Sequence, residues 1–68
     1  MSKVKAREVR LIDILNCIYQ DEIIHITYEH GRYTYSNTAI MAEIDFDKYL
    51  GTQIIGIDCN CGVLTIYI

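Results

Sequence analysis

Asp45 and Asp47 stand two residues apart, and Asp13 and Asp58 are further carboxylates set among apolar neighbours. Carboxylates held close together can bind a magnesium ion, which acidifies bound water and steadies the charge on an attacked phosphate. A plainer role is open to each: Asp45 as a helix N-cap, the others facing water. Cys59 and Cys61 with His25 and His30 supply the ligand types of a structural zinc site. Their Cys-x-Cys spacing departs from the Cys-x2-Cys of zinc knuckles and ribbons, so zinc is not expected and the thiols are read as reduced. Tyr33 and Tyr35 could stack bases, but with Arg32 as their one nearby cation a core or interface role is favoured. The sequence holds no Gly-rich phosphate loop, Ser-His-Asp set or nucleophile elbow.

These side chains need elements to hold them. The stretch Gln53 to Ile68 reads as a β-hairpin, with Asn60 and Gly62 placed to reverse the chain. In its second arm Val63, Thr65 and Tyr67 alternate with Leu64, Ile66 and Ile68, which leaves neither face polar enough for water. Upstream, Leu11, Ile12, Leu15, Ile18 and Tyr19 recur with the period of an amphipathic helix of about three turns, ending near Gln20-Asp21. Residues 22 to 29 switch to period two, with Ile24, Ile26 and Tyr28 on one face. His30-Gly31 turns the chain, and Arg32 to Ser36 returns as a second strand. Ser36-Asn37-Thr38 is read as a bulge or bend, and Ala39 to Ile44 as a continuation of that strand or a short strand of its own. Asp45 to Gly51 is read as one helical turn, capped by Asp45 and closed by Gly51 at a left-handed position. The result is an α+β fold: a four-stranded, mainly antiparallel sheet covered on one face by the N-terminal helix.

Sixty-eight residues make a single domain, residues 1–68, that buries only about 60% of its unfolded surface. Half the residues, 51%, are hydrophobic, more than so small a core encloses, which points to a homo-oligomer. A dimer or tetramer built through the last strand or the uncovered face would bury Leu64, Ile66, Tyr67 and Ile68. The net charge of −3 is unevenly spread: the first ten residues carry +3 and the remainder −6. Residues 1–6 are read as a mobile basic arm or a short added strand. Lys3, Lys5, Arg7 and Arg10 are the candidates for touching DNA phosphate. No apolar run is long enough for a membrane span and the first residues lack a signal-peptide core, so the chain is expected in the cytoplasm.

The pattern as a whole, Leu-Ile-Asp-Ile-Leu, Ile-Ile-His-Ile-Thr-Tyr-Glu, Asp-Lys-Tyr-Leu-Gly, Gln-Ile-Ile-Gly-Ile-Asp and Gly-Val-Leu-Thr-Ile-Tyr-Ile, resembles very small prophage-encoded proteins of gut Clostridia. Some of these are anti-CRISPR proteins that protect phage from a type II effector nuclease, similar in fold to a positive-cofactor-type single-strand-binding sheet. The resemblance implies an oligomer in a bacterial host cell that nicks supercoiled double-stranded DNA and relieves the torsion the effector exploits. Under that reading Asp13, off the buried helical stripe, is the catalytic candidate, and Asp45, Asp47 and Asp58 would hold magnesium. The alternative is a non-catalytic module that binds a host protein through its sheet edge or acidic face.

Overall fold

The computed structural model describes residues 8–68. Two short helices lie on one face of a four-stranded sheet of order β2-β1-β4-β3. The elements in chain order are α1 (Leu11–Leu15), β1 (Ile23–Tyr28), β2 (Tyr33–Thr38), α2 (Ala39–Asp45), a single 3-10 turn (Asp47–Tyr49), β3 (Gly56–Asn60) and β4 (Val63–Tyr67). The expected α+β class is present. β1 pairs antiparallel with β2, and β3 with β4, but β4 lies parallel to β1, so the sheet is mixed. Joining the two hairpins through α2 and the 3-10 turn sets this arrangement: the connection leaves β2 at the starting end of β1, crosses one face of the sheet and enters β3 at the finishing end of β1.

Period two in Ile24 and Ile26 puts both side chains on the covered face, where they meet Ile66 of β4. Leu11 and Leu15 of α1 and Ala39, Ala42 and Phe46 from the α2 segment complete the fully enclosed core. Leu64 of β4 and Ile68 just beyond it pack against this core. The opposite face is more polar than the last strand alone suggests. Cross-strand register lines up Ser36, His25, Thr65 and Asp58 in one row, with Thr34, Thr27 and Tyr67 in the next. Hydroxyls, an imidazole and a carboxylate keep that face wet, so the premise that both faces are apolar does not hold.

Four local expectations are corrected. α1 stops after Leu15 rather than continuing to Gln20, and Tyr19 is left 81% exposed. The residues beyond it are needed elsewhere: the carbonyls of Gln20 and Glu22 accept the N–H groups of Ile40 and Ala39 at 3.0 and 2.9 Å, satisfying free donors at the start of α2. Ala39 to Ile44 is helical, not a strand, because Thr38 caps it; its hydroxyl accepts the Met41 N–H at 3.3 Å. Ala39, Ala42 and Phe46 then fall at i, i+3 and i+7 toward the core. Asp45 ends that helix instead of capping the next turn, and Gly51 does not take a positive φ. The final turn is also shifted by one residue. Asn60 closes β3, and Cys61 (φ 54°) and Gly62 (φ 79°) form the two-residue reversal, both left-handed as a type I′ turn requires.

Candidate interaction surface

The four candidate aspartates do not come together. Asp13 accepts the Arg10 backbone N–H through Oδ2 at 2.9 Å, tying down the first turn of α1. Asp45 accepts the Tyr35 hydroxyl at 2.5 Å, linking α2 to β2. Asp47 opens the 3-10 turn and is exposed. Asp58 projects from β3 onto the polar face of the sheet, opposite the side on which the helices lie. The sheet therefore stands between Asp58 and the other three. Among the described residues no three His, Cys, Asp or Glu side chains come together in a group that could hold a metal ion. His30 and Cys61 sit in turns at opposite ends of the sheet, and Cys59 points to the face away from His25.

Lys3, Lys5 and Arg7 lie outside the described residues. Arg10 is engaged within the fold: its Nε donates to the Gly51 carbonyl at 3.1 Å, and a terminal nitrogen pairs with Glu8 at 3.2 Å. Arg10 also bridges antiparallel to Gln53, and the backbone N–H groups of Leu11 and Ile12 donate to Thr52 and Leu50. This side chain anchors the start of α1 to the segment before β3. Tyr28 and Tyr35 meet the ring of Phe46 edge-on, at centroid distances of 5.3 and 4.8 Å, and Tyr33 tilts against Tyr28 at 5.5 Å. The tyrosine pair thus belongs to an aromatic cluster under α2 and is no open stacking platform. Burial, the hydrogen bond to Asp45 and its negative charge together push the Tyr35 phenol up to about 12.

The proposed assembly residues of β4 divide in the same way. β4 is an interior strand between β1 and β3, and Ile66 is fully enclosed within one chain, so it has no surface to offer a second copy. Leu64 and Ile68 are half-buried on the same side, and Tyr67 is the one exposed on the polar face.

The surface that sequence reading missed is the outer side of α2. Once residues 39–45 are helical, Ile40, Met41 and Ile44 fall on one side at i, i+1 and i+4, away from Ala39 and Ala42. All three are exposed, Ile44 to 62%, and Tyr49 is exposed just beyond them. Glu43, Asp45 and Asp47 flank and follow this stripe, with Lys48 as the single cation in the segment. An apolar centre with a charged margin is the layout of a protein-binding patch. The available signal was Thr38 followed by Ala-Ile-Met-Ala-Glu, an N-cap before good helix formers.

No family model, curated protein or solved structure matches the chain. Among the described residues no helix is long and apolar enough to cross a membrane.

Proposed function

We propose that this chain is a non-catalytic interaction module that docks through the outer side of α2 onto a partner protein with an apolar centre and a basic margin. The observation that carries this reading is the exposed stripe Ile40, Met41 and Ile44 beside Glu43, Asp45 and Asp47. Charge selects the class of partner. A chain with net charge −3, and −6 from Leu11 onward, repels a second copy and acidic surfaces and attracts basic ones. Nucleic-acid-handling proteins carry such surfaces, and in the counter-defence setting that the resemblance implies the partner is an effector nuclease. The nicking reading lacks comparable support, because it needs carboxylates converging on one phosphate, whereas Asp13 and Asp45 hold contacts of their own and Asp58 lies across the sheet from the other three.

Calorimetric titration of the full chain into a guide-loaded type II effector nuclease tests the reading. A complex that weakens with added salt, and at least ~10-fold on Ile44→Lys or Asp47→Lys, is expected. Binding that ignores both substitutions would move the contact off α2, and no binding at all to this nuclease would remove it as the partner.

A further inference from the structure

We infer that the free edge of β2 is a second contact for the basic partner proposed above, resting on that reading for the partner's charge, and takes an extended Lys- or Arg-bearing segment as a fifth strand. The backbone shows which groups are open. The Ile68 N–H donates to the Thr27 carbonyl at 3.0 Å, so in this parallel ladder Thr27 and His25 turn their backbone groups to β4, and Ile24, Ile26 and Tyr28 turn theirs to β2. A second bond gives the same phase. The Ala39 N–H donates to the Glu22 carbonyl at 2.9 Å, flanking Ile23 and Thr38 as a non-hydrogen-bonded pair requires. The backbone groups of Tyr33, Tyr35 and Asn37 therefore face β1, and those of Thr34, Ser36 and Thr38 face outward. Thr38 is met locally, its N–H donating to Asn37 Oδ1 at 2.7 Å. Thr34 and Ser36 are exposed, and their N–H and C=O groups have no backbone partner among the described residues.

Nothing along this edge keeps another strand away. β2 is Tyr-Thr-Tyr-Ser-Asn-Thr, outermost in the sheet and without charge or proline, and such an edge invites pairing. α2 borders it on the helix-covered face. Asp45 reaches the Tyr35 hydroxyl of β2, and Met41, one turn earlier, lies on the same side of the helix. Met41 is 38% exposed and Tyr33 48%. An added strand would set alternate side chains against Tyr33, Met41 and Asp45, and the others beside Thr34 and Ser36. Charge chooses the occupant. Glu29 and Arg32 offset one another in the turn before β2, while the exposed Asp45 belongs to a body that carries −6 from Leu11 onward. Pairing β2 with the β2 of a second copy would bring two such bodies edge to edge, whereas lysine or arginine would meet opposite charge.

Amide hydrogen exchange on the full chain tests the site, with and without a peptide of about seven alternating valine and lysine residues at ~1 mM. The peptide is expected to slow Thr34 and Ser36 at least ~10-fold and to leave Tyr35, already bonded to β1, unchanged. A matching peptide of valine and glutamate is expected to slow neither. Thr34 and Ser36 rates that ignore the lysine peptide would overturn the inference, and so would equal slowing by both peptides. Protection without peptide that rises with protein concentration would overturn it too, by assigning the edge to a second copy. The probe needs no nuclease, so the two readings fail separately: nuclease binding through Ile44 without peptide protection sinks only the β2 site, and peptide protection without nuclease binding removes only that partner.

Discussion

At the scale of single residues, a few polar side chains, Asp13 and Tyr35 among them, tie the elements of this protein together. Asp13 shows the consequence. As an acceptor for the Arg10 N–H it is a structural group, and Asp13→Ala should lower the unfolding free energy by about 1 kcal/mol in urea titrations. A purely catalytic Asp13 would instead leave stability unchanged on substitution. Tyr35 gives the alkaline counterpart. Its phenol is raised to about 12, so the folded state holds the proton more tightly than an unfolded chain titrating near 10. The stabilisation is present in full below pH 10 and is lost as pH rises from about 10 toward 12. Thermal melts across that interval should show a steeper decline for the native chain than for Tyr35→Phe, and parallel declines would remove Tyr35 as the cause.

At the scale of elements, what could be read from the residues and what could not divide along a physical line. β1 with Ile24 and Ile26, the His30-Gly31 reversal and the last hairpin were legible, because period two and turn chemistry are local properties. The end of α1 depends on tertiary contacts, the Gln20 and Glu22 carbonyls meeting the first amides of α2, whereas α2 itself carries a local signal, the Thr38 cap before Ala-Ile-Met-Ala-Glu, that the period-two reading of the preceding strand overrides. Without α2, the stripe of Ile40, Met41 and Ile44 could not be placed, so the candidate site was hidden with the element that carries it. Thr38→Ala should cost about 0.5–2 kcal/mol by removing the cap on α2, and denaturant titration followed by circular dichroism would register it. The last turn offers the opposite sign. Cys61 holds a left-handed conformation that side chains other than Asn and Gly adopt poorly, so Cys61→Asn, giving Asn-Gly, should raise stability by roughly 0.5–1 kcal/mol. An unchanged or lower midpoint would show that the turn carries no such strain.

At the scale of the whole molecule, a small core is shared among the two helices and the two central strands. Ile66, fully enclosed beside Ile24 and Ile26, is a centre of that core, and Ile66→Ala should cost about 2–5 kcal/mol, a large part of what a 68-residue domain has. The same enclosure keeps Ile66 from contact with a second copy, and the side of α2 is an exposed apolar surface with an acidic margin. The central claim is that this surface binds and that the aspartates do no chemistry on DNA. Supercoiled plasmid incubated with the pure protein and magnesium, alongside a chelator control, tests it most directly. The account predicts plasmid that stays supercoiled at every protein concentration, and magnesium-dependent open circles that disappear with Asp13→Ala in a folded variant would contradict it.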